Sequence, residues 1–284
     1  MTTKTIPIDI PVQPWYPDHV FAGRTILPAV ESMMLLAAAI QRMHPEVDIR
    51  IMEDIRFAGF LEIPEQSTHL PALVEANCDD NGMLRAFLLS RIKLKSMKRL
   101  RKHAEILFPS VSASSNCDID MTTDSPAGSV TEIAAEDIYR ELVPFGPAYR
   151  TLQGSLVLSG KKAWGRLKAP LLNERKYRLQ DIGSPFPLDG AFHAACVLGQ
   201  CYADFIPFPV GVARRIIHKP TRPGTDYLTR VELISRNRDE LIFNLSIFDA
   251  EGKIYEIIKE LRMRDVSGGK MKPPAWLAKK IGSK

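Results

Sequence analysis

The chain has 284 residues, enough for one large domain or two of ordinary size with a core worth burying. Its hydrophobic content of 45% and charged content of 25% belong to an ordinary globular protein and set aside disordered and fibrous classes. The net charge of +5 is mildly basic, but no zinc spacing, RNP-like run or helix-turn-helix signal accompanies it, so no nucleic-acid partner is expected.

Residues 1–14 lack the apolar stretch of a signal peptide. The longest apolar run, 26–40, is interrupted by Pro28, Glu31 and Ser32 and is too short to span a bilayer. No membrane insertion is expected. Four cysteines, Cys78, Cys117, Cys196 and Cys201, form no C-x-x-C pair and suit a reducing compartment, so the expected location is cytoplasmic. Apolar periodicity predicts a first long helix at 28–43, where Pro28 fits the first turn because its missing N–H would be unpaired there. Strand-like runs follow at 49–57, 69–77, 83–94 and 99–108. Residues 109–129 are rich in Ser, Thr, Asp and Pro, which is linker composition. A short helix is predicted at 135–142 and a second long one at 188–205, with Asp189 in its first turn, where a carboxylate is favoured. Four more strand-like runs come at 210–218, 226–235, 240–249 and 253–264. The remainder, from about 267, is a basic Gly/Lys/Pro tail with Trp276 as its anchor.

This order reads as an internal repeat. Pro64 and Pro220 lie 156 positions apart, and Val74-Glu75 matches Val231-Glu232 at an offset of 157. Repetition usually means that each unit buries its hydrophobic face against its copy. The expected division is a first half at 1–125, with the linker at 109–129, and a second at 126–284.

The familiar signatures of nucleotide binding, G-x-S-x-G hydrolysis and metal binding are missing, so no metal is expected and the chemistry narrows to acid–base work. Three segments stand out: His19-Val-Phe-Ala-Gly23-Arg-Thr-Ile-Leu-Pro28, then Phe145-Gly146-Pro147-Ala148-Tyr149, then Leu188-Asp189-Gly190-Ala191-Phe192-His193. Together, and in this order, they resemble the dehydratase domains of polyketide synthases, which carry H-x-x-x-G-x-x-x-x-P, Y-G-P-x-[FY] and L-D-x-x-x-[QH]. The resemblance covers about residues 10–265. It departs at two places: Ser184-Pro185 stands where the family usually has His-Pro, and Phe145 replaces the tyrosine of Y-G-P.

The resemblance implies an α+β double hot dog, two helix-wrapped antiparallel sheets forming an internal pseudo-dimer. It also implies loss of water from a β-hydroxyacyl group held on an acyl carrier protein. His19 would be the base and Asp189 the acid, with His193 in support. Gly23, Pro28, Phe145, Gly146, Pro147 and Tyr149 would shape the substrate site. No cofactor of its own is implied, since the substrate rides on the phosphopantetheine of the carrier. The implied partners are that carrier and other synthase enzymes, with a homodimer left open.

The chemistry explains the residue types. A neutral imidazole, with an unperturbed pKa of roughly 6.5, is a good base for the α-proton of a thioester. An aspartate buried among aliphatic side chains can keep the proton that a departing hydroxide needs. Asp189 and His193 are spaced i, i+4 and share one helix face. Arg24, Arg214 and Arg215 are candidates for the phosphate of the carrier's arm. His44, His69, His103 and His218 read as ordinary surface residues. The same acid–base pair could instead shift a double bond or cyclise a chain. The chain could also be a non-catalytic acyl-binding module of a synthase, or a hot-dog thioester hydrolase.

Overall fold

The protein is described from a computed structural model, in which residues 2–94, 97–110, 126, 128–172 and 181–277 are defined. The chain forms two compact units, 1–117 and 118–284. Most of the expected linker, at 111–125 and 127, lies outside the described residues, as does the tail beyond 277.

The first unit contains β1 (Thr2–Pro11), the short strands β2 (Val20–Phe21) and β3 (Arg24–Thr25), α1 (Ala29–Met43), β4 (Ile51–Phe57), β5 (His69–Cys78), β6 (Leu84–Leu94) and β7 (Met97–Phe108). Its main sheet runs β1-β5-β6-β7-β4, antiparallel throughout. Buried residues alternate along the strands: Leu70, Ala72, Val74 and Ala76 on β5, and Leu84, Ala86 and Leu88 on β6. That period of two builds one apolar face. α1 lies against β5, β6 and β7, and Val30, Met33, Leu36, Ala37 and Ile40 are buried along it, the stripe a period of 3.6 produces.

The second unit opens with β8 (Thr131–Ala134) and α2 (Ala135–Asp137), which runs into a wider helical turn at Ile138–Leu142. After β9 (Leu152–Ser159) and β10 (Lys162–Lys168) comes α3 (Phe186–Gln200), followed by β11 (Phe208–Ile217), β12 (Asp226–Arg236), β13 (Glu240–Phe248) and β14 (Ile254–Arg264). The sheet order is β11-β14-β13-β12-β10-β9-β8, again antiparallel. α3 packs on β9, β10, β12 and β13 and is buried along its whole length, so its apolar residues occupy every side. Trp276 donates to Glu141 Oε2 while its neighbour Leu277 is buried, fixing the described end of the tail in this unit.

The repeat is visible in the elements. α1 and α3 begin at Ala29 and Phe186, β4 and β11 at Ile51 and Phe208, β5 and β12 at His69 and Asp226, and β7 and β14 at Met97 and Ile254, always 157 positions apart. The fold class is the α+β double hot dog. α3 departs from its predicted span of 188–205: Pro187 is accommodated in the first turn, and the helix stops at Gln200. Sequence patterning also misses β1, β9 and β10, whose prolines and glycines interrupt the strand pattern.

Among the described residues no helix is long and apolar enough to cross a membrane. No group of three or more His, Cys, Asp or Glu among them is placed to hold a metal.

Candidate active site

His19 stands at the entry of the β2–β3 hairpin. Ala22 and Gly23 form its two-residue turn with φ of 48° and 75°. Positive φ at both central positions gives the mirror-image turn that suits the twist of a tight hairpin, and glycine adopts it at no steric cost. Backbone bonds fix the histidine on both sides: its N–H donates to Tyr16 O at 2.9 Å, and its carbonyl accepts Ile26 N–H at 3.1 Å. His19 is 7% exposed, and its Nδ1 lies 3.0 Å from the carbonyl oxygen of Ile26. A carbonyl only accepts, so Nδ1 carries the hydrogen and the lone pair of the neutral ring sits on Nε2. Pro28 precedes α1 by one residue, where its carbonyl accepts the Ser32 N–H at 3.1 Å.

In the second unit α3 starts from a pinned segment. Ser184 N–H donates to Thr221 O at 3.1 Å, and Thr221 Oγ1 donates back to Ser184 O at 2.9 Å. The residue standing at the family's histidine position thus anchors the helix start through its backbone. One turn later Asp189 is 5% exposed and His193 4% exposed. His193 Nε2 lies 3.0 Å from Asp189 Oδ2, within ion-pair distance but outside hydrogen-bond alignment, so both atoms keep hydrogen-bonding capacity.

Tyr139, unremarked in the sequence apart from its short helix, reaches this pair. Its hydroxyl accepts the Leu152 N–H at 2.8 Å and lies 3.4 Å from His193 Nδ1, with the two rings edge to face at 5.8 Å. Burial pushes the phenol well above its ordinary pKa, and the Leu152 N–H opposes this. A phenol held neutral is a donor. A hydrogen bond given to His193 Nδ1 would leave the ring hydrogen on Nε2, the nitrogen nearer Asp189.

Phe145 lies beside the same ring, centroids 5.2 Å apart, and 6.3 Å from Tyr149. Tyr149 is fully buried 5.3 Å from Phe186, at the first residue of α3, and Gly146 and Pro147 begin the single turn that carries it. The structure therefore gathers Phe145, Tyr149, Asp189 and His193 in one unit, with Tyr139 added, and His19, Gly23 and Pro28 within one short segment of the other.

Residues 120–273 match the family model described as the polyketide synthase dehydratase N-terminal domain. The chain belongs to that family. No curated protein matches it. The dehydratase domain from the CurF module of the curacin polyketide synthase superposes with a TM-score of 0.71 at 19% identity, covering 92% of this chain and 93% of that one. The bifunctional dehydratase-cyclase domain in ambruticin biosynthesis gives 0.70 at 20% identity, covering 92% and 91%. The dehydratase domain of RzxB from Pseudomonas fluorescens gives 0.64 at 16%, covering 86% and 87%. At these identities the likeness establishes the fold of this dehydratase-family chain.

Two expectations from the sequence need correction. Arg215, a candidate for a phosphate at the site's mouth, is 1% exposed, and its Nε donates to the fully buried Glu256 at 3.0 Å. Burial raises the pKa of Glu256 and the Arg215 guanidinium opposes the rise; with Nη2 also 2.9 Å from Glu256 Oε2, that guanidinium is committed to a buried carboxyl. Arg24 is exposed and paired with Glu62 at 3.2 Å. His103, expected at the surface, is buried on β7. No spacing signal links it to its partners, which come from other parts of the chain.

Proposed function

We propose that this chain is a hydro-lyase that removes water from a β-hydroxyacyl group, giving an α,β-unsaturated acyl thioester in polyketide or fatty-acid-like biosynthesis. The substrate rides on the phosphopantetheine of an acyl carrier protein, and other synthase enzymes act before and after it in the cytoplasm. The protein contributes no cofactor of its own. The division into halves at 1–125 and 126–284 belongs to this reading.

The observation that carries it is the buried Asp189–His193 pair on α3, at 3.0 Å, inside the segment matched by the dehydratase family. In the proposed reaction His19 Nε2 takes the α-proton. The electron pair of that C–H bond forms the new double bond, and the β C–O bond breaks as the Asp189 carboxyl delivers its proton to the leaving hydroxyl. Water leaves, and exchange with solvent takes the proton from His19 and restores one to Asp189 before the next turnover. His193 orients the carboxyl. Gly23, Pro28, Phe145, Gly146, Pro147 and Tyr149 bind and shape rather than react.

The test is incubation with a panel of 3-hydroxyacyl carrier-protein thioesters and mass spectrometry for loss of one water. The same product analysis separates dehydration from double-bond migration and cyclisation. His19→Ala and Asp189→Asn should each lower the rate by roughly 10²–10⁴-fold with the fold intact. The double variant should be little worse than either alone, because one partner has little to do without the other. Wild-type turnover by His19→Ala would remove His19 as the base.

A further inference from the structure

The first unit holds a second constellation of reactive groups that dehydration does not use. Ser90 on β6 and His103 on β7 meet with Oγ and Nε2 2.7 Å apart. His103 Nδ1 lies 3.2 Å from the carbonyl oxygen of Gly59. That carbonyl can only accept, so Nδ1 carries the hydrogen and Nε2 presents its lone pair to the Ser90 hydroxyl. The tautomer is the one a general base for serine requires.

The backbone aims the ring. Along the β6–β7 ladder Leu88 opposes Ala104 and Leu89 opposes Lys102, which leaves His103 as the extra residue of a bulge. Such a bulge turns a side chain away from its ladder position. His103 is buried, whereas Ser90 is only half-buried. The residue directly across the ladder from Ser90 is Arg101, whose guanidinium also lies against Gly59, 3.4 Å from where a Cβ would stand. Burial pulls the pKa of His103 below its ordinary value; the Gly59 carbonyl opposes this and the Arg101 charge adds to it. The ring therefore stays neutral and available at neutral pH.

We infer that Ser90 and His103 form a nucleophilic dyad, oriented by the Gly59 carbonyl, that accepts an acyl group from an activated ester or thioester. Ser90 Oγ attacks the carbonyl carbon and its proton passes to His103 Nε2. The oxyanion forms beside the Arg101 guanidinium. The bond to the leaving oxygen or sulfur then breaks, and that atom takes the proton from His103. Water, deprotonated by the same nitrogen, releases the carboxylic acid and restores Ser90. That a thioester is the natural donor rests on the proposed dehydratase reading; the dyad itself does not.

The experiment treats the full chain with a fluorophosphonate and maps the adduct by peptide mass spectrometry. Ser90 should carry the phosphonyl group in the wild type, Ser90→Ala should carry none, and His103→Gln should label about 10²-fold more slowly or worse. Ser90→Cys guards against a His103 variant that fails to fold: its thiol should react with iodoacetamide near pH 6 faster than glutathione does. An unlabelled Ser90 peptide, equal labelling in a folded His103→Gln, or an ordinary rate for the Ser90→Cys thiol would each overturn the dyad. Ser90→Ala should dehydrate hydroxyacyl thioesters at the wild-type rate, so failure of one activity leaves the other readable.

Discussion

The Tyr139 hydroxyl receives the Leu152 N–H and lies 3.4 Å from His193 Nδ1, so its own hydrogen can turn to that nitrogen and set the imidazole with Nε2–H on the side of Asp189. Removing only that hydroxyl frees the ring to adopt either tautomer. Tyr139→Phe should therefore lower kcat by about two- to tenfold, the worth of one hydrogen bond of roughly 0.5–1.5 kcal/mol, with KM little changed. A merely structural role would cost the same in any background. Glutamine at 193 has a fixed amide donor and no tautomer to set, so Tyr139→Phe should cost little in a His193→Gln protein. Nitrogen-15 shifts of the imidazole should show the Nε2–H form in the wild type and a mixture in Tyr139→Phe. An unaltered tautomer would refute the positioning role whatever the activity. Asp189 and His193 are legible from the sequence because i, i+4 spacing is local. Tyr139 is not, since 54 positions separate it from His193 and only the fold closes that distance. His103 escapes sequence patterning for the same reason: Gly59 and Ser90 reach it from elsewhere in the chain.

At the level of elements, α3 reaches β10 and Thr151 through Gly190. A Cβ there would collide with Thr151 Oγ1 and stand 2.9 Å from Leu167 Cδ2. In an open helix, replacing glycine by alanine gains about 1 kcal/mol of propensity. Here the contact decides the sign, because overpacking a close-fitting core costs about 1–3 kcal/mol and Thr151 is itself buried. Gly190→Ala should lower the unfolding midpoint by several degrees and, by tilting the first turn of α3, reduce dehydration as well. Thermal unfolding and turnover measured on one preparation check both; a midpoint at or above wild type would show that the helix can shift at no cost. The long helices and the four strands after each are readable from periods of 3.6 and 2. β1 is hidden because Pro7 and Pro11 break its pattern, which an edge strand tolerates, and among the described residues only β5 pairs with it. β9 and β10 are hidden by Gly154 and Gly165 and by scattered basic residues. Their register slips between Trp164 and Arg166, where Gly165 lets Leu152 approach.

For the molecule as a whole, the repeat of 157 positions is legible in the sequence as a faint match of prolines and a Val-Glu pair, and the folded elements carry it almost residue for residue. The net charge of +5 belongs to this scale too. It acts on encounter, not on the chemical step. A basic surface attracts an acidic carrier protein over distances set by the Debye length, about 10 Å at 0.1 M salt and about 3 Å at 1 M. The proposed substrate has two parts that salt should separate: a charged carrier, felt at long range, and an acyl thioester, felt only at the site. Raising salt from about 0.05 to about 0.5 M should lower kcat/KM for the carrier-bound 3-hydroxyacyl substrate by about tenfold, chiefly through KM. The same acyl group on an uncharged N-acetylcysteamine thiol should respond little, because nothing in it is steered. Equal salt dependence for both substrates would place the charge effect at the site itself. No dependence for either would mean that the basic surface takes no part in meeting the carrier, and that recognition rests on the arm alone.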